Sequence, residues 1–350
     1  MTKTVKLFLT LVAILLIVPF AMNAQNAKNN RKAEFKTAKS MYKKGGQDEM
    51  IKGMKIMVDI KGEKSLKYVY KALKNDDRTV RRQALDLLVP YANQDMCDRV
   101  VKKYAKGDAV ADVAKWLGDV KDTTHIAYLI DLVNDPSSDK ETVGESVLSL
   151  GKMTNPDVLQ CLVPLIGSPY QADVKTAFVS YNGDIQPYLT ETIKGNDAQK
   201  LGTLDILQSR YCPMLHFEVR HLLSYYNNSD VRDAAYKALK NVVTIGDASF
   251  LKEHLECCDE CYVTDVQDAL IMAMRNATPA IKDEMVGGMQ KTSPYVVPRF
   301  YRVFASFRTE AGVRQLVEWY NAGIEQEKAM EVIQTISTKK YGHILKDLEK

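Results

Sequence analysis

The chain has 350 residues, 46% of them hydrophobic and 26% charged, which excludes a disordered or low-complexity protein. Its net charge of +4 conceals a split: residues 25–106 carry 21 Lys and Arg against 10 Asp and Glu, while residues 107–350 carry 25 against 34. No run reaches the ~20 apolar residues of a spanning helix, so a mature chain without a transmembrane helix is expected.

In chain order, Lys3 and Lys6 come first, then the uncharged apolar run Leu7–Phe20, then Ala21, Met22, Asn23 and Ala24 before Gln25. That pattern predicts a secretory signal peptide over residues 1–24, cleaved after Ala24, and an exported product, periplasmic or extracellular. Residues 25–46 are polar and basic and read as a flexible tether, with room for a short helix over Ala33–Lys43 before Gly45 and Gly46. Residues 47–60 carry enough apolar side chains, among them Met50, Ile51, Met54, Met57 and Val58, for a first packed helix.

From residue 64 the chain reads as helix pairs. In residues 77–88, Val80, Ala84 and Leu88 fall at i, i+4 and i+8 on one stripe, and Arg81 follows the valine. Val231, Ala235 and Leu239 repeat the stripe, with Arg232 after the valine. Second helices are predicted to begin near Val80, Val110, Val143, Val174, Leu201, Val231, Val266, Val297 and Ala329, at intervals of 27 to 35 residues. Pro, Gly, Asn or Ser stands in nearly every intervening turn, and nowhere does a two-residue alternation ask for a strand. A period near 30 with a helix pair in each copy is the signature of a solenoid.

Val80-Arg81 with Ala84 and Leu88, and Val231-Arg232 with Ala235 and Leu239, resemble the second-helix signature of HEAT-type repeats. The resemblance covers most of residues 64–336 and is degenerate elsewhere; Val174-Lys175 and Val266-Gln267 lack the arginine. It implies an all-α fold, a right-handed α-α superhelix of about nine HEAT-like pairs over residues 47–350, with residues 343–350 as a terminal half-repeat or cap. It also implies that second helices line a concave face, where Arg78, Arg81 and Arg82 would offer a basic entry to a groove.

Among chemistry-bearing residues, Cys257, Cys258 and Cys261 form the one local cluster. Cys258 and Cys261 are candidates for a disulfide; a zinc site lacks two further ligands, and no metal or other cofactor is expected. HEAT-like metalloenzymes of the hydroxylase kind use His-Glu dipeptides, and none of the five histidines is followed by Glu. There is no Gly-x-Ser-x-Gly elbow and no phosphate loop, so no catalytic residue is assigned. Of the 18 tyrosines, Tyr225 and Tyr226, then Tyr68 and Tyr70, are the first candidates for binding. The expected function is a non-enzymatic interaction scaffold with a protein partner. The alternative is a glycan-binding surface, or the accessory array of a larger exported hydrolase. Export argues against nucleic acid.

Overall fold

The computed structural model describes residues 29–153, 155–288 and 292–348; the predicted signal peptide lies outside the described residues. Among the described residues every regular element is helical, and no helix is long and apolar enough to cross a membrane. The chain divides into two compact units, with the boundary between residues 155 and 156.

The first unit contains α1 (29–44), α2 (Gln47–Lys61), α3 (Leu66–Ala72), α4 (Arg78–Leu88), α5 (Gln94–Tyr104), α6 (Ala109–Val120), α7 (Ile126–Asn134) and α8 (Lys140–Gly151). Odd and even helices pair, α3 on α4, α5 on α6, α7 on α8, and the even helices α2, α4, α6 and α8 pack one on the next. The predicted stripe builds that contact, since Val80, Ala84 and Leu88 are at most 1% exposed. Burying a Val or Leu side chain contributes roughly 1.5–3 kcal/mol, and the small Ala84 between them lets the helices approach. Asp77 starts α4 by accepting from the Val80 N–H at 3.0 Å, while Asn75 Oδ1 accepts from the Asp77 N–H at 2.8 Å.

The tether expectation is corrected here. Residues 29–44 are a helix packed on α2, with Ala38 fully buried. The cause is Gly53, whose missing side chain lets α2 meet the α1 backbone; a Cβ there would stand 2.5 Å from the Ala38 carbonyl oxygen. Tyr42 Oη donates to the Tyr68 carbonyl at 3.0 Å and fastens the far end of α1. The first pair is therefore α1 with α2, one pair earlier than the sequence reading placed it.

The second unit holds α9 (Pro156–Leu162), α10 (Gln171–Ser180), α11 (Gln186–Leu189), α12 (Asp197–Leu207), α13 (His216–Tyr225), α14 (Ser229–Leu239), α15 (Ala248–Cys257) and α16 (Val263–Ala273), followed by α17 (Pro279–Gly287), α18 (Tyr301–Phe307), α19 (Glu310–Asn321), α20 (Gln326–Ile333) and α21 (Thr338–Leu345). Again the even helices α10 to α20 stack in succession. Val231, Ala235 and Leu239 are fully buried, as the stripe requires. Two elements are short. Pro187 sits in the first turn of α11, which ends at Leu189, and Pro298 confines residues 297–300 to a 3-10 turn before α18 begins. The last helix starts at Thr338 rather than His343, packs on α19, and buries Tyr341 and Ile344.

Candidate functional site

The three arginines expected to open a groove are engaged inside the first unit. Arg78 and Arg82 lie one turn apart on α4 and converge on Asp112 of α6, Arg78 Nη2 at 3.0 Å and Arg82 Nε at 2.7 Å. Both reach on to Glu141 of α8, Arg78 Nη1 at 2.8 Å and Arg82 Nη2 at 2.9 Å. The Asp112 side chain has no exposed surface, so two guanidinium groups stand where water would otherwise solvate it. Hydrogen bonding from Arg78 holds Glu141 below the usual carboxylate range, and the same bonds, to Glu141 and then Asp112, raise Arg78. Arg81 is buried; it donates to the carbonyls of Asn75 and Asp76 at 3.0 and 2.9 Å and pairs with Asp108. The free basic entry is therefore corrected: carboxylates of the next two repeats claim all three side chains.

Of the tyrosine candidates, Tyr225 ends α13 and its side chain lies outside the described ones. Tyr226 is half-buried and donates to Asp197 at the start of α12. Asn228 donates to the other Asp197 oxygen at 2.7 Å, and the Lys200 ammonium lies 5.1 Å from the Tyr226 ring centre. Tyr226 thus fastens the turn before α14 to the preceding repeat instead of standing free.

The proposed Cys258–Cys261 disulfide is also corrected. All three thiols are free: Cys258 is buried, whereas Cys257 and Cys261 are exposed. Cys258 caps α15 with its sulfur directed at Arg299, 4.0 Å away, while Cys261 sits in the following 3-10 turn on the surface. Burial pushes the Cys258 thiol up to about 11. Among the described residues no group of three or more His, Cys, Asp or Glu is placed to hold a metal ion.

Sequence reasoning missed a second charged centre. Asp247, fully buried, accepts from His216 Nδ1 at 2.7 Å and Arg220 Nη1 at 3.1 Å through one oxygen. Its other oxygen accepts from the Thr244 N–H at 2.8 Å and the Thr244 hydroxyl at 2.9 Å. Burial alone would raise this carboxyl; the bonds from His216 and Thr244 outweigh it and hold it below the usual range. Arg220 lies over the Phe250 ring at 3.8 Å, and Phe250, His254, Tyr236 and Tyr262 continue as a stack, the two tyrosine rings 3.7 Å apart.

That centre holds an apolar surface in place. Tyr211, Met214, Phe217 and Ile245 are 59%, 69%, 67% and 47% exposed. The Cys212 N–H donates to the Asn241 carbonyl at 2.8 Å, and His216 holds Asp247, so segments 211–217 and 241–247 lie against each other. Beside them a cavity of about 620 Å³ is lined by Tyr211, Val243, Ile245, Met272, Arg275 and Ala277. Arg275 makes no ion pair among the described residues, which leaves one cation at the edge of an apolar wall. In the first unit, a cavity of about 480 Å³ is lined by Tyr70, Tyr91, Asn93, Asp95 and Arg99. The one available signal for this surface is large apolar residues falling in turns or, for Phe217, at the very start of a helix.

Helix pairs stacked through their second helices, with charged side chains linking consecutive repeats, define an α-solenoid repeat protein. More particularly, residues 107–181 match the family of HEAT repeats, which together with the all-helical fold supports a HEAT-repeat protein. No curated protein matches it. A solved structure of human deoxyhypusine hydroxylase in complex with glycerol is similar over 78% of this chain and 96% of that one, with 16% identity and a TM-score of 0.30. A likeness that distant has no bearing on activity.

Proposed function

We propose that this HEAT-repeat chain is an exported, non-catalytic scaffold that binds a protein partner on the apolar surface of its second unit. The observation that carries this is the grouping of Tyr211, Met214, Phe217 and Ile245, all at least 47% exposed, beside a cavity of about 620 Å³. Exposed contiguous apolar surface mostly marks interaction sites, and aromatic residues and Met are the types enriched there. Arg275 adds a polar anchor, so the partner presents an apolar side chain next to a carboxylate. Apart from Arg275, the titratable groups near this surface are committed to one another, Asp247 to His216 and Arg220, which suits a structural role better than proton transfer.

The test is cross-linked capture from the exported fraction, comparing the parent chain with a Phe217→Glu, Ile245→Asp variant of unchanged helicity. One protein in near-equal amount, lost with the variant, supports the reading; equal capture by both chains removes it. N-terminal sequencing of the exported chain is expected to start at Gln25. Glycan binding is favoured by one observation, the aromatic and polar lining of the cavity at Tyr70, Tyr91, Asn93, Asp95 and Arg99. Retention of polysaccharide alone, lost on Tyr70→Ala, would select that reading.

A further inference from the structure

Helix α1 presents one line of a single charge. Lys32, Lys36, Lys39 and Lys43 recur at i, i+4, i+7 and i+11, which on a helix of 3.6 residues per turn confines them to an arc of about 60° and spreads them over about 16 Å. α1 is packed through Ala38, at Gly53 of α2, and Tyr42, at the Tyr68 carbonyl, which stand about 130° and 90° round the helix from the middle of the lysine line. Lys32, Lys36 and Lys43 are exposed and Lys39 half-exposed, and none makes an ion pair or side-chain hydrogen bond among the described residues. Glu34, the acidic residue of α1, lies about 200° round the helix from Lys32. The neighbouring helix supplies the comparison: Asp48, Lys52, Lys55 and Asp59 have the same spacing on α2, are exposed, and carry both signs. That is the pattern of an ordinary solvated face. Four like charges in a row repel one another, and the arrangement stabilises the protein only when an anionic surface lies opposite.

We propose that α1 is a docking surface for anionic lipid headgroups. A straight row of lysines on a convex helix meets a plane of phosphates, and lysine is a point charge that needs no fixed acceptor geometry. Reading nucleic acid would call for aromatic platforms or a groove between the cations, and the line contains neither. This reading goes beyond the scaffold proposal and does not depend on it, since it concerns the first unit and the scaffold surface the second.

The experiment is co-sedimentation of the chain from residue 25 onward, which keeps every described residue, with vesicles of phosphatidylcholine alone or with about a third phosphatidylglycerol. Binding to the anionic vesicles, absence from the neutral ones and loss at high salt are expected. Each lysine near an anionic surface is worth about fivefold, so Lys32→Glu, Lys36→Glu, Lys39→Glu and Lys43→Glu together should lower affinity at least a few hundredfold. A control reverses Lys64, Lys67, Lys71 and Lys74, which changes net charge equally; circular dichroism shows that both variants fold. Equal loss in the two variants would overturn the assignment to α1. Binding to heparin or polyphosphate with none to anionic vesicles would overturn the lipid and give the line to a soluble polyanion.

Discussion

Arg78 and Glu141 stand 63 residues apart in sequence and 2.8 Å apart in space, so one side chain of α4 spans two repeats. Between them Asp112, with no exposed side-chain surface, is shared by Arg78 and Arg82. Either arginine can partly cover Asp112 when the other is removed. Arg78→Ala or Arg82→Ala alone should cost about 1–2 kcal/mol, whereas the double variant strands a buried carboxylate and should cost about 3–5 kcal/mol. A double-mutant cycle by urea unfolding measures the difference. Strict additivity would show that the two guanidinium groups do not share the charge.

Gly53 decides whether α1 docks. A Cβ at this position would lie 2.5 Å from the Ala38 carbonyl oxygen and 2.9 Å from the Tyr42 nitrogen, both backbone atoms that cannot swing aside. Gly53→Ala should therefore destabilise the first unit by about 1–3 kcal/mol, although alanine normally favours a helix. Hydrogen exchange should show α1 losing protection before α4 does. Unchanged protection in α1 would mean that the helix pair yields without cost.

How far the sequence was legible follows from where each signal lies. Val80, Ala84 and Leu88 declare their burial through spacing within a few turns, and all three are buried as that spacing demands. The fate of Arg81 and Arg82 is not local, because their partners Asp108, Asp112 and Glu141 belong to later repeats. A recurrence of carboxylates about one period after the arginines was the available hint. The tether reading failed for a related reason: residues 29–44 are polar when read alone and become a packed helix only through Gly53 of the next one. Exposed Phe217 and Met214 could not be told from core residues by type, since hydrophobicity does not say which way a turn or the first residues of a helix face.

Thiol chemistry tests the cysteine cluster. Cys257 and Cys261 are exposed, whereas burial pushes Cys97 up to about 12 and Cys161, Cys212 and Cys258 to about 11. Only the thiolate reacts, so two of the six cysteines should react quickly with a chromogenic disulfide reagent in the native chain. Unfolding without reductant should then release all six. A count of four would establish a bridge and reverse the reading of Cys258 and Cys261.

His254 gives the second unit a sensitivity to acid. Its Nε2 lies 2.8 Å from Tyr236 Oη, its ring stacks between Phe250 and Tyr236, and burial lowers its pKa from the ordinary 6.5. A folded-state value below the unfolded one means that the unfolded chain binds the proton more readily. The stabilisation is complete above 6.5 and drains away as pH falls from there through the folded value. His254→Phe keeps the stack and removes the titration. Near neutral pH this variant should be less stable by about 1 kcal/mol, for the lost hydrogen bond with Tyr236. Below the ordinary histidine pKa its thermal midpoint should fall less steeply than the parent's, and the two curves should converge. Asp247, held low by His216 and Thr244, adds its own loss only at more acid pH, as the solution falls below the ordinary carboxylate value of 3.8. Parallel curves for parent and variant across the histidine range would mean that His254 keeps its proton equilibrium unchanged on folding, and would assign the acid sensitivity to other groups.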